Sequence, residues 1–322
     1  MRYLARRFLH ALLLFAAATV LTFLFTALTP GNYFDEIRLN PQISSETLNA
    51  LKASHDLDKP LVVRYLHWVK SVARGEMGYS FAYNSSVWPL LEPRTRNTLV
   101  LTVTATLLAW LIALPLGIWS AEYQLRWPDR VITTASAVLL VIPDIALALG
   151  LLLLGVRTHW FPAGGMASVG AESLPFQTRA WDLLRHLVLP VTILVLSAQP
   201  ILIRHIRAAI AETLNEGFMR AAEAHGIPRR RLLWRYALPA AANPLISLFG
   251  FSIGTLLSGS LLVEVITGWP GLGPFLLEAI LARDVYVVIG GVLFSTAFLI
   301  TGNFVADLLL FWTDPRIRTG DT

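Results

Sequence analysis

Long apolar runs, each close to the length that crosses hydrocarbon, alternate along this chain with shorter stretches rich in arginine, proline and glycine. Such runs, poor in charge, lie at roughly 8–29, 98–121, 131–156, 186–206, 240–263 and 285–312, so six membrane-crossing helices are expected. The pattern between the runs is uneven. One side of the membrane receives Arg2, Arg6 and Arg7, then Arg126 and Arg130, then Arg204, Arg207, Arg220, Arg229, Arg230, Arg231 and Arg235, and finally Arg316 and Arg318. Basic residues in short loops stay inside, which predicts that both termini are cytoplasmic.

The opposite side carries a long stretch at 30–97 in which basic residues are nearly balanced by acidic ones, and long loops translocate largely regardless of charge. Within it, Asp58, Pro60 and Gly75 read as a cap, a first-turn proline and a stop around apolar Leu61, Tyr65, Trp68, Val69 and Val72. This predicts an amphipathic helix that either lies on the outer membrane surface or covers the tops of the spans. Near the C-terminal end, Gly268-Trp269-Pro270-Gly271-Leu272-Gly273 predicts a tight non-helical turn. The apolar Phe275, Leu276 and Ile280 after it fit a short helix dipping back toward the bilayer. Arg2, Arg6 and Arg7 before the first run have the layout of a signal peptide, but the run spans a full bilayer and Pro30 follows at once, so an uncleaved first span is expected. The chain therefore divides into an N-terminal transmembrane helix (1–29), an extracytoplasmic segment with amphipathic helices (30–97), a membrane core (98–312) with a cytoplasmic loop at about 208–239, and a cytoplasmic tail (313–322).

Composition agrees with the pattern. Hydrophobic residues make up 55% of the 322 and charged residues 15%, and mean hydropathy is +0.59, so the bilayer is the expected solvent. A net charge of +5 fits a nucleic-acid binder on its face, but the arginines are scattered over several loops and form no basic domain. With no cysteine, disulfides, thiolate metal sites and cysteine nucleophiles are excluded. The only lysines, Lys52, Lys59 and Lys70, lie in the outer segment and none follows glycine, so the chain carries no phosphate-cradling loop for ATP. The histidines show no metal-ligand spacing, and neither a catalytic residue nor a bound cofactor is expected.

The cytoplasmic loop is too polar for the membrane and too helix-prone for a linker. Residues 212–224 predict a helix, Gly226 and Pro228 a sharp bend, and 229–236 a second short helix. Small residues at Ala221 and Ala222 permit close approach of a partner, and the arginine run meets either acidic groups on that partner or anionic lipid.

The order Phe218-Met219-Arg220-Ala221-Ala222-Glu223-Ala224-His225-Gly226-Ile227, followed by Leu232, Tyr236-Ala237-Leu238 and Pro244, resembles the coupling-loop signature of binding-protein-dependent ABC importer permeases, in the dipeptide/oligopeptide/nickel branch. The resemblance extends through Thr29-Pro30-Gly31, Leu57-Asp58-Lys59-Pro60, Gly75-Glu76-Met77-Gly78-Tyr79-Ser80, Gly254-Thr255-Leu256-Leu257-Ser258-Gly259, Arg283-Asp284 and Asp314-Pro315-Arg316. Where sugar-type permeases have Glu-Ala-Ala, this chain has Arg220-Ala221-Ala222, so the salt bridges to a partner must differ. Asn32 and Pro239 also depart from the usual aspartate and arginine.

The resemblance implies an all-α integral membrane protein with six transmembrane helices and the type I importer permease fold, in the inner (plasma) membrane of a prokaryote. It implies a half-pore that pairs with a second, homologous permease in a heterodimer, two cytosolic ATPase subunits that bind ATP and Mg, an extracytoplasmic substrate-binding protein and membrane lipid, but no nucleic acid. The coupling contact then falls to Glu216, Arg220, Ala221, Ala222, Glu223, His225, Gly226, Ile227, Arg229, Arg230 and Arg231. Candidates for the translocation path or gate are Asp144, Pro190, Pro200, Glu264 and Trp269. Asp144 is costly in hydrocarbon and is expected to face a cavity or a partner, Pro190 and Pro200 are expected to bend the fourth span, and Glu264 is either a contact for substrate or binding protein or a solvated interfacial carboxylate. Asn303 and Asp307, four residues apart, are expected to bond each other or a neighbouring helix. Peptide import is the expected activity, with nickel or another small solute as the alternative. A secondary carrier is the less favoured rival, because no inverted repeat with matched broken helices is visible.

Overall fold

The computed structural model describes residues 2–28 and 59–313 and is almost wholly helical. The expectations for Thr29-Pro30-Gly31, Asn32, Lys52, Leu57-Asp58 and the tail from Asp314, with Arg316 and Arg318, lie outside the described residues. In chain order the elements are α1 (Arg2–Leu28), α2 (Leu61–Val72), a hairpin of β1 (Tyr79–Ser80) and β2 (Ser85–Ser86), then α3 (Val87–Glu122), α4 (Trp127–Val141) and α5 (Asp144–Thr158). They continue as α6 (Phe176–Leu214), α7 (Gly217–Ala224), α8 (Arg229–Leu232), a π turn at Leu233–Ala237, α9 (Leu238–Ala240), α10 (Ala242–Thr267), α11 (Leu272–Leu281) and α12 (Val285–Thr313).

Among the described residues, α1, α3, α6, α10 and α12 are long and apolar enough to cross a membrane. The predicted third span at 131–156 is not one straight helix: α4 and α5, each 15 residues, meet at 98°. Pro143 has no N–H to continue the ladder and disfavours helical backbone at the residue before it, and Ile142 is extended at φ −76°, ψ 120°. Pro190 and Pro200, expected to bend the fourth span, sit inside the unbroken 39 residues of α6.

Contacts divide the chain into two compact units, Met1–Asn97 with Pro270–Phe298, and Thr98–Trp269 with Leu299–Thr322. In the first, the predicted amphipathic helix exists as α2 and packs on α1. Its Tyr65 and Trp68 meet Phe23 with ring centroids 5.3 and 5.2 Å apart, and the Trp68 indole donates to the Met77 carbonyl at 3.1 Å. Asp284 is the polar node of this unit. Its carboxylate accepts from the Ser80 hydroxyl at 2.6 Å and the Ala82 amide at 3.2 Å, tying the hairpin to the start of α12. Tyr83 donates to Glu278 at 2.6 Å; burial first, then the bonded carboxylate, push its hydroxyl up to about 12. Small residues let the helices close: a Cβ on Gly290 would lie 2.5 Å from Leu91.

In the second unit α6 is the central helix, packed along α4, α5 and α10. Its buried face carries Ile193, Leu202, Ile206 and Ile210, and Gln199 donates to the Ala109 carbonyl of α3 at 3.1 Å. On α10, Gly250 and Gly254 meet Ala306, Asn303 and Leu299 of α12, while Gly302 of α12 meets Ile253; Cβ atoms at Gly250, Gly254 and Gly302 would come within 2.5–2.9 Å of those side chains. This is the small-residue spacing by which membrane helices approach closely without a hydrophobic driving force. Asn303 thus faces α10, as expected of a helix-contacting residue, and Asp307 is buried.

Replacing Asp284 with Ala leaves the Ser80 hydroxyl and the Ala82 amide without their shared acceptor, at an expected cost of about 2–3 kcal/mol. Ser80→Ala removes one donor and is expected to cost about 1 kcal/mol. Thermal unfolding of the purified chain in detergent, followed by tryptophan fluorescence, ranks the two; equal losses would dismiss the carboxylate as the node.

Candidate coupling site

The loop at 208–239 is built as a bracket at the end of α6. The predicted helix over 212–224 is instead broken: α6 stops at Leu214, Asn215 closes it by donating its side-chain amide to Ala211, and Glu216 is extended at φ −65°, ψ 150°. Gly217, a poor helix residue, restarts the chain as α7, whose amides at Met219 and Arg220 bond the Glu216 carbonyl. The Arg220 guanidinium reaches back to the Asn215 carbonyl at 3.0 Å and pins the break. At the other end His225 donates through Nδ1 to the Ala221 carbonyl at 2.7 Å. Gly226 then turns the chain at φ 75°, a left-handed conformation that side chains disfavour, and Pro228 starts α8. The bend was legible from Gly226 and Pro228. The second helix is shorter than the predicted 229–236 and passes into the π turn at Leu233.

Met219, Leu232 and Ala237 are buried together, with Leu214, Ala222 and Ile227 packed against them, so the bracket has an apolar core of its own. Its outer face presents Phe218, 49% exposed, together with Arg220, Ala221, Glu223, Ala224 and His225. Phe218 belongs to the quoted motif, but nothing in the sequence marked it as the apolar residue exposed on this loop. The arginine run is split. Arg229 lies 3.8 Å from Glu122 of α3 and 3.6 Å from Glu223 of α7, whereas Arg230 and Arg231 are exposed.

Above the bracket, Asp129 gathers three elements. Arg207 of α6 grips its carboxylate bidentately, Nε to Oδ1 at 2.6 Å and Nη2 to Oδ2 at 2.8 Å. Ser120 of α3 donates to Oδ1 at 2.5 Å, and the Leu125 amide in the α3–α4 turn donates to Oδ2 at 2.8 Å. Beside it Gly117 lets α3 meet α6, since a Cβ there would lie 2.6 Å from Ile206. Sequence reasoning treated Arg207 as a topology signal and passed over Asp129, because nothing local links residues 78 positions apart.

The path candidates fall on three helices and one turn. Asp144 is exposed at the first turn of α5, while Pro190 and Pro200 are buried within α6. Glu264 is not the solvated carboxylate allowed for above: packing at the end of α10 buries it completely, at 0% exposure. Its backbone carbonyl accepts from the Trp269 amide at 2.9 Å across the predicted turn, where Gly268 takes φ 63°, and Trp269 is itself wholly buried in the core of its unit. Among the described residues no group of three or more His, Asp or Glu side chains is placed to hold a metal ion.

Residues 113–319 match the family profile described as "Binding-protein-dependent transport system inner membrane component", and residues 1–102 match "Binding-prot-dependent transport system membrane comp, N-term". The chain is 33% identical over 322 residues to a putative peptide permease protein of Brucella ovis, covering 99% of each. It is 32% identical to the oligopeptide transport system permease protein AppB of Bacillus subtilis, over 98% of this chain and 99% of the relative, and 32% identical to the dipeptide transport system permease protein DppB of Escherichia coli, over 99% of each. Among solved structures, a chain of the inward-facing MetNI methionine ABC transporter superposes with a TM-score of 0.54 at 17% identity, over 70% of this chain and 96% of that one.

Cutting the Asp129 node should be costly, because removing one partner of a buried pair strands the other; Asp129→Ala is expected to destabilise the chain by about 3–5 kcal/mol. Arg207→Lys keeps the charge but loses the two-pronged grip and is expected to fall between. The check is the detergent-solubilised unfolding temperature of both variants; an Asp129→Ala chain as stable as the parent would remove the node from the structure's support.

Proposed function

Because the chain belongs to the family of binding-protein-dependent transport system inner membrane components, we propose that it forms one half of a transmembrane pore through which di- and oligopeptides are imported. It is a multi-pass inner membrane subunit of a bacterial ABC importer, and its own role is conduction, not catalysis. The names of the relatives, oligopeptide and dipeptide permeases, support peptides over nickel as the solute. Its complex contains a second, related permease completing the pore, two cytosolic subunits that bind and hydrolyse ATP with Mg, and an extracytoplasmic binding protein that delivers the solute. Both termini are cytoplasmic, and the segment from 30 to 97 faces outward, where the binding protein docks.

One observation carries the coupling role: an exposed apolar tip, Phe218, stands on a bracket with a buried core of its own that is joined end-on to the central helix. ATP-driven closure of the cytosolic subunits displaces this bracket. Met219, Leu232 and Ala237 make it move as a body, and α6, about 58 Å long at 1.5 Å per residue, carries the displacement into the membrane. The Asp129–Arg207 pair conveys the same motion to α3 and α4. Access to the pore then alternates between two arrangements of the spans, and release from the binding protein biases the same equilibrium from outside. Asp144 is our candidate for a residue facing the companion permease or the solute, a reading supported by its exposure at the break between α4 and α5.

The test is ATP-dependent uptake of a mixed peptide library by the complex reconstituted in liposomes with its companion subunits. Phe218→Asp is expected to lower uptake at least tenfold by loosening attachment of the ATPase. Gly226→Val, which forces a β-branched residue into left-handed backbone at a cost of about 1–2 kcal/mol, is expected to lower uptake per ATP hydrolysed while the complex still assembles. Intact complexes that hydrolyse ATP yet take up no peptide would overturn the peptide assignment, and uptake without ATPase subunits would overturn the importer.

A further inference from the structure

The cytoplasmic corner between α3 and α4 carries an exposed group of side chains that coupling does not use. Trp119, near the end of α3, and Trp127, at the start of α4, stack edge to face with ring centroids 6.5 Å apart, yet remain 42% and 70% exposed. Leu125, at the tip of the turn, has φ 64° and is 75% exposed. Arg126 and Arg130 flank the indoles one helical turn apart; both are exposed, and among the described residues neither makes an ion pair or side-chain hydrogen bond. The acidic residues of this corner are already engaged: Asp129 by Arg207, Ser120 and the Leu125 amide, and Glu122 by Arg229. The corner therefore offers two guanidinium groups without internal counter-charge beside an unburied aromatic pair.

The same face continues down α4. Trp127, Val131, Val138 and Val141 follow at helical spacing and are all exposed, Val141 most of all. A positively charged head above an apolar track is complementary to an amphiphile with an anionic headgroup and a hydrocarbon chain. A soluble partner would match the arginines but have no access to Val138 and Val141 within the bilayer. Indoles favour the headgroup level of a membrane, and paired guanidinium groups bind phosphate through charge-assisted hydrogen bonds.

We propose that this corner is a binding site for one anionic phospholipid of the cytoplasmic leaflet, its phosphate held between Arg126 and Arg130, its glycerol region against Trp119 and Trp127, and one acyl chain along Val131, Val138 and Val141. The Asp129 node fixes the turn that presents the two arginines outward, so the site is built into the same corner as the clamp on α6. The inference rests on the membrane placement of the chain and its inward-facing loops, and not on which solute is carried; peptide uptake can stand or fall without it.

Native mass spectrometry tests it directly, on the full chain released from nanodiscs containing equal amounts of phosphatidylglycerol and phosphatidylcholine. The parent is expected to retain phosphatidylglycerol over phosphatidylcholine by about tenfold. The double variant Arg126→Gln/Arg130→Gln is expected to bring that ratio near one, and Trp127→Ala to weaken retention of both lipids; all these positions are exposed, so unfolding temperatures should match the parent. Arg230→Gln/Arg231→Gln, on the bracket, is expected to leave the ratio unchanged. An equal loss in this second double variant would reduce the effect to general surface charge and overturn the site. So would an unchanged ratio in Arg126→Gln/Arg130→Gln, including the case in which that variant alters only the association of permease chains, which would assign the corner to a protein interface.

Discussion

Hydrocarbon offers no partner for a backbone N–H or C=O, and every feature of the membrane core follows from that. A span must satisfy its own backbone, which makes a proline expensive wherever packing does not hold the helix around it. Pro190 and Pro200 are buried in α6 between helices that press on it from α4, α5 and α10, and the helix runs through both. At Pro143 the residue before it, Ile142, is extended, Val141, Asp144 and Ile145 are exposed, and the chain breaks there and restarts as α5. The negative charge of Asp144 in the first turn of α5 also suits the positive end of that helix. One residue type thus produces different outcomes: α6 runs through its buried prolines, α3 runs through the exposed Pro115, and the chain breaks at Pro143.

The end of α6 nearest the loop is held to its neighbours by charge as well as by apolar packing. On either side of Arg207 the apolar packing continues, with Ile206, Ile210 and Ala211 buried in the core. The bidentate pair to Asp129 adds to it, and because the Arg207 side chain keeps 24% exposure, the desolvation cost of the pair is only partial. Gly117 is the steric part of the same joint, since a side chain there would hold α3 away from Ile206 of α6. Charge and close approach meet at this point.

The membrane architecture was legible because span length is set by the bilayer, and five of the six apolar runs became continuous helices. Their ends were less legible. α3 begins at Val87, well before the apolar run, since Pro89, Glu92 and Arg94 lower hydropathy without preventing a helix. The break at Asn215 and Glu216 was missed although Gly217, a poor helix residue, follows it directly, because the apolar and helix-forming residues on either side read as one continuous helix. Gly226 and Pro228 announced their bend because their constraints are local. What no local rule could reach were contacts between distant residues: Asp129 with Arg207, Ser80 with Asp284, and the packing that buries Glu264. The site's outline was therefore readable as a motif, and its mechanical connections were not.

The bracket explains why those connections matter. If α7 were an isolated helix of eight residues it would fray in water. Packing of Met219 over Leu232 and Ala237 gives the bracket enough buried surface to resist that. Leu214, the last residue of α6, packs both against this small core and against the large core of the membrane unit. The two apolar clusters share a side chain at the junction where the backbone itself is broken by Asn215 and Glu216. Continuity of packing replaces continuity of the helix, so the bracket stays attached to the span across the break.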